Sequence, residues 1–174
     1  MSTTIAVTPH WLPVRELTPE AFAPYGELVR PVRTKGQGSH GSHPAVQEDA
    51  TLMLGGGVPR MWIMQLPHLG LSFSGIARHR RVTQCLGSMD GQEWFISVAP
   101  PGDPAESTRP RIEDIVAFRV PNDVVIKLHV GTWHAGPHPP GPGGLFINLE
   151  HVDTNQVDNQ HVDLGVECRY RIPS

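Results

Sequence analysis

PNDVVIKLHVGTWHAGPH, residues 121–138, is the stretch whose reading decides the fold. It carries three of the ten histidines, His129, His134 and His138. The apolar run before them, Val124, Val125, Ile126 and Leu128, is rich in the β-branched residues that strands favour. The run after them, Pro139-Pro140-Gly141-Pro142-Gly143-Gly144, cannot be crossed by a helix or a central strand. A helix would put His134 and His138 on one face, but the glycines and prolines around them exclude it. The histidines therefore sit where a strand ends, turns at Gly131 and resumes, and the chemical site of the chain is expected here.

Outward from this stretch, short strands separated by turn residues account for most of the chain. Strands are predicted at 61–66, 71–78, 82–86, 93–98, 112–120, 124–130 and 145–152, with an edge strand at 162–172. Asp90-Gly91 reads as a hairpin between 82–86 and 93–98, and Pro121-Asn122-Asp123 as the turn of the next pair. Upstream, Leu17 to Gly26 reads as one short helix with Thr18 as N-cap, Pro19 in first position and Gly26 as its stop. Glu27-Leu28-Val29 then begins the first strand. Residues 34–57 lack periodicity; His40 and His43 read as part of an exposed polar loop, placed to cover or line a site. Evenly spaced short strands of this kind predict an all-β sandwich or barrel.

The totals agree. A chain of 174 residues suffices for one domain with a full core, and a single domain over 1–174 is expected. Its 18 glycines and 18 prolines favour turns and short strands over helices. A formal charge of -3 argues against a nucleic-acid partner. No apolar run approaches the roughly 18 residues of a membrane span, and no signal peptide is apparent. Cys85 and Cys168, far apart, give no disulfide framework, so a cytoplasmic setting is expected.

The polar residues on these strands carry the chemistry. His79 ends one strand and Gln84 lies five positions on; a turn around Arg80-Arg81 brings both inward. Ala77-Arg78-His79, four residues, Gln84, six residues, Gly91 resembles the first motif of the cupin superfamily. Asp123, five residues, His129-Val130-Gly131, two residues, His134, three residues, His138 resembles the second. The usual first metal histidine is here Ala77, the usual glutamate is Gln84, and His129 stands at the position of the usual turn proline. Arg78-His79, Thr83-Gln84 and the block from His129 through Trp133-His134 resemble the ureidoglycolate lyase family, also labelled ureidoglycolate hydrolase. Leu17-Thr18-Pro19-Glu20-Ala21-Phe22 and Tyr25-Gly26 look like that family's opening, and the resemblance covers residues 17–160. It implies a cupin double-stranded β-helix, a jelly-roll barrel, with a short N-terminal helix.

The resemblance implies nickel, and zinc, manganese or iron also suit three imidazoles and an amide oxygen. His79, Gln84, His129 and His134 are the expected ligands. The implied reaction gives glyoxylate and urea from ureidoglycolate, a small-molecule substrate, with Glu150 or His129 moving protons and Lys127 holding the substrate carboxylate. Another metal-cupin activity (isomerase, hydrolase or dioxygenase) on a small acid, or small-ligand binding without turnover, remains the alternative. His138 reads as surface, Arg78, Arg80 and Arg81 as solvated, and Trp62, Trp94 and Trp133 as core or pocket walls. Cys85 is expected on the face opposite Gln84, and a homodimer is expected by resemblance.

Overall fold

The computed structural model describes residues 8–31, 49–103 and 108–173. His40 and His43 lie outside the described residues. In chain order come β1 (His10–Glu16), α1 (Pro19–Phe22), β2 (Gly26–Val29), β3 (Pro59–Pro67), β4 (Ser72–Arg78), β5 (Gln84–Ser88) and β6 (Trp94–Ala99). After them come β7 (Val116–Val120), β8 (Val125–Leu128), β9 (Trp133–His138), β10 (Gly143–His151), α2 (Thr154–Val157) and β11 (Gln160–Arg171). One sheet closes on itself in the order β1-β11-β4-β9-β6-β7; a second, five-stranded sheet runs β2-β8-β5-β10-β3. The fold is all-β, as the even spacing of short strands predicts.

The turn signals fall where expected, but the pairing they imply does not. Asp90-Gly91 closes no hairpin: β5 pairs with β8 and β10, while β6 pairs with β7 and β9. Likewise β7 and β8 belong to different sheets. The reason lies in β6, WFISVA, which is buried at every position and so needs a layer on each side. Its Trp94, Ile96 and Val98 enter the cluster shared with Phe22, Leu86, Phe118, Ile126 and Phe146 between the sheets. Its Phe95 and Ala99 enter a second cluster with Leu12, Val14, Trp133, Cys168 and Tyr170. Each such large side chain contributes about 1.5–3 kcal/mol by leaving water.

The second layer is the part the sequence hid. The unpredicted β1 pairs in parallel with both β11 and β7, burying Leu12 and Val14. The strand expected at 162–172 is therefore no edge: β11 has β1 on one side and β4 on the other. The helix is shorter than expected. Thr18 Oγ1 accepts from Ala21 N at 3.2 Å and Pro19 opens the helix, but it ends at Phe22. Gly26 is not its stop but the first residue of β2, where a Cβ would collide with the Lys127 carbonyl oxygen. Only glycine allows that approach.

Candidate active site

His79 follows β4 in the closed sheet, and Gln84 opens β5 in the other, so the turn between them sets the two side chains face to face. Asp158 holds that turn. Its carboxylate accepts from Arg80 N at 2.7 Å and from Arg81 N at 2.8 Å. Its backbone carbonyl lies 2.7 Å from His79 Nδ1. A carbonyl only accepts, so Nδ1 is the donor and Nε2 is the nitrogen turned to a guest. His134, on β9 between β4 and β6, repeats the arrangement: Nδ1 donates to Thr132 O at 3.2 Å. Burial, reinforced by His79, pushes the His134 pKa down to about 3, so the ring is neutral. The two ring centroids are 5.2 Å apart.

Gln84 adds a third acceptor. Its Nε2 donates to Glu150 Oε2 at 3.2 Å and to Asn148 Oδ1 at 3.3 Å. Its Oε1 is buried and makes no hydrogen bond. Glu150, 1% exposed, also takes Arg60 Nη2 at 2.7 Å and Trp62 Nε1 at 3.1 Å, both on Oε1. The guanidinium of Arg60 lies over the Trp62 ring, 4.8 Å from its centroid. Strand β10 alternates, so Asn148 and Glu150 share the inner face with Phe146 and meet Trp62 and Arg60 of β3 in register. Together these side chains wall a cavity of about 190 Å³, with His79, Gln84, His134 and Glu150 in its lining and Asn155 and Asn159 at its exposed mouth.

His79, Gln84, His134 and Glu150 are thus brought together. His129 lies beside them, lining a narrow crevice with His79, Gln84 and His134. Both its nitrogens are engaged, however: Nε2 with Ala23 O at 3.2 Å and Nδ1 with Lys127 Nζ at 3.2 Å. Among the described residues no three His, Cys, Asp or Glu side chains are grouped to hold a metal ion, so the expected trio of imidazoles is not assembled. Lys127 is not brought to the cavity. It pairs in register with Cys85, one position out of phase with Gln84 and Leu128, and so faces away. There its Nζ bonds Glu27 Oε1 at 2.8 Å. Cys85 does face away from Gln84, and burial pushes its thiol up to about 11.

Two further expectations need correcting. His138 is not on the surface but 5% exposed, with Nδ1 2.8 Å from the Tyr170 hydroxyl and its ring stacked on Phe73. The register of β9 against β6 shifts between Phe95 and Ser97, where Gly136 takes φ +123°, and His138 emerges into the second layer. Arg78 is fully buried rather than solvated: its guanidinium lies over Trp133 at 4.5 Å and bonds Gln160 Oε1 and Pro101 O, both at 2.8 Å. Of the three tryptophans, Trp94 and Trp133 are core and Trp62 walls the cavity.

A closed β-barrel backed by a second sheet, with histidines and an amide facing a cavity between them, is a barrel of the cupin type. Within that class, residues 9–169 match the family described as ureidoglycolate lyase, and the chain belongs to that family. The match makes it a lyase of that type. Individual curated proteins gave no match.

Proposed function

We propose that the protein cleaves ureidoglycolate to glyoxylate and urea, or acts on a similar small ureido or α-hydroxy acid, with a divalent metal, nickel, held by His79, His134 and Gln84. The observation that carries this reading is the set of three acceptors on one cavity: the Nε2 atoms of His79 and His134 and the Gln84 Oε1, which has no hydrogen-bond partner. Backbone carbonyls fix both imidazoles in the tautomer that ligates through Nε2, the usual support of a metal histidine. The donor set is neutral, so an anionic chelating substrate complements it. Bound there, the metal supplies Lewis acidity that lowers the pKa of the substrate hydroxyl.

The remaining work belongs to side chains. The C–N electron pair leaves with the nitrogen, the hydroxyl carbon becomes the glyoxylate carbonyl, and one proton passes from oxygen to departing nitrogen. Glu150 is the anionic side chain on the wall. Its Oε2 accepts one hydrogen bond against two on Oε1, and so keeps a lone pair to take and return that proton. Asn155 and Asn159 at the mouth offer amides to the ureido group, and Trp62 and Met64 shield the reacting bond from water. The test is release of urea and glyoxylate by nickel-loaded protein. Loss of at least a hundredfold in kcat/KM in His79→Ala and His134→Ala is expected, and unchanged rates would overturn the reading. A second reading, ligand binding without turnover, draws on the missing third ionisable ligand; a parent that binds nickel and substrate yet releases no urea would favour it.

The same reading places the protein in a reducing cytoplasm, supported by its two free cysteines, Cys85 and Cys168. No helix among the described residues is long and apolar enough to cross a membrane. It also pairs the chain with a second copy. Met61, Ile63 and Leu145, exposed on the outer face of the second sheet beside Ile147 and Leu149, form an uncharged strip that a two-fold axis would lay on itself. Sedimentation showing a dimer that Ile63→Lys dissociates supports this; a monomeric parent refutes it.

A further inference from the structure

We infer that Arg60 and Glu150 act as a positioning pair that dictates which end of the Gln84 amide faces the cavity. Gln84 is 6% exposed, so the orientation of its amide is decided by its neighbours rather than by bulk water. A carboxylate has no proton to give, so the end of the amide that meets Glu150 must be the NH₂. Reversing it would set Gln84 Oε1 against Glu150 Oε2, where the heavy atoms are 3.2 Å apart, and against Asn148 Oδ1 at 3.3 Å. Three acceptors would then meet with no proton between them in a buried site.

Glu150 can impose this only if it is itself held. Arg60 Nη2 at 2.7 Å and Trp62 Nε1 at 3.1 Å fix Oε1 and leave Oε2 aimed at Gln84. All three residues stand on paired strands, Arg60 opposite Glu150 and Trp62 opposite Asn148, so the geometry is set by sheet register rather than by a loop. The outcome is three acceptors turned to one cavity, His79 Nε2, His134 Nε2 and Gln84 Oε1, a set that suits a cation or the N–H groups of a ureido end. The orientation itself stands without the proposed reaction; its effect on nickel rests on that reading.

The experiment follows the side-chain amide of Gln84 by nitrogen-15 NMR on metal-free protein, assigned with Gln84→Glu. In the parent, both Nε2 protons are expected to exchange slowly with water. In Glu150→Gln the new amide donates to position 84, Gln84 reverses, and its two proton signals shift and lose their protection. Fast-exchanging Gln84 protons in the parent, or signals unmoved in a folded Glu150→Gln, overturn the inference; the parent alone decides should the variant not fold. Calorimetric nickel titration gives the second readout. Glu150→Gln is expected to weaken binding about 10- to 100-fold. The double variant Gln84→Glu/Glu150→Gln, whose position 84 can only accept, is expected to recover it to within about threefold. A loss of packing at position 150 alone would not be rescued from position 84, so a double variant as weak as the single one also overturns the inference. A parent that binds no nickel refutes the metal reading, while the amide signals still decide this one.

Discussion

The imidazoles of His79 and His134 lie 5.2 Å apart, centroid to centroid, and each directs its Nδ1 hydrogen onto a backbone carbonyl, Asp158 O for one and Thr132 O for the other. Two rings fixed this way cannot donate to one another through Nδ1, and both keep Nε2 free for a guest. His134 is held locally, by the carbonyl two residues before it, whereas His79 is held across the fold by Asp158.

The proposed metal affinity rests on this pair. With the neutral set of His79, His134 and Gln84, removal of either imidazole leaves two donors. His79→Ala and His134→Ala are each expected to weaken nickel binding by at least a hundredfold in calorimetry of metal-stripped protein, while Lys127→Met binds as the parent does. Retention of parent affinity in either histidine variant would exclude it as a ligand.

Asp158 should matter more to stability than a turn residue usually does. Its buried carboxylate accepts two backbone N–H groups, and Asp158→Ala leaves both without that partner. A loss of about 1–3 kcal/mol in urea denaturation is expected. Asp158→Asn keeps one accepting oxygen and should lose less. Equal stability of parent and Asp158→Ala would show that water replaces the carboxylate without cost.

Lys127 separates two accounts of substrate binding. It bonds Glu27 and His129 on the face away from the cavity. Lys127→Met is therefore expected to keep KM for ureidoglycolate within about threefold. Its stability cost should stay small, about 0–1 kcal/mol, because the substitution removes the buried charge and the Glu27 side chain it leaves behind is 39% exposed and reaches water. A hundredfold rise in KM would put Lys127 on the substrate carboxylate after all.

His138 makes stability depend on pH. Burial pushes its pKa from 6.5 down to about 4. Above about 6.5 folded and unfolded chains are both neutral at this ring and nothing is lost. As pH falls below that, the unfolded chain takes up the proton first, so stability drops until about pH 4, by ~3 kcal/mol at most. His134, pushed down to about 3, adds a loss of the same sign. His138→Gln, which can still accept from the Tyr170 hydroxyl, should show a shallower decline between pH 6.5 and 4 in denaturation curves. An unchanged slope would remove His138 from the account.

Much of this was legible because strands and turns are local. Gly131, with φ +84°, does turn the chain between β8 and β9, and Thr18 does cap α1. What local signals could not give was which strand meets which. Asp90-Gly91 has a hairpin sequence, yet the burial of β6 on both faces makes the chain change sheets there. That His79, Gln84 and His134 line one cavity was legible through the resemblance of their spacing to the cupin motifs, whereas Asp158 was not: it carries no motif, and its contacts arise only when β11 brings it under the turn after β4. The polar pair Asn148 and Glu150, two apart on an apolar strand, was a signal that period-two reading could have assigned to one inward face. Glu150 also accounts for an amide at position 84, since a second carboxylate there would sit against the first.

Steady-state assay of ureidoglycolate with nickel-loaded parent and nickel-loaded His134→Ala, measuring urea and glyoxylate together, decides whether this cavity carries the proposed lyase reaction. Equimolar urea and glyoxylate are expected from the parent, with at least a hundredfold loss in the variant. Equal turnover by the two, or none by a parent shown to hold nickel, would contradict that reading.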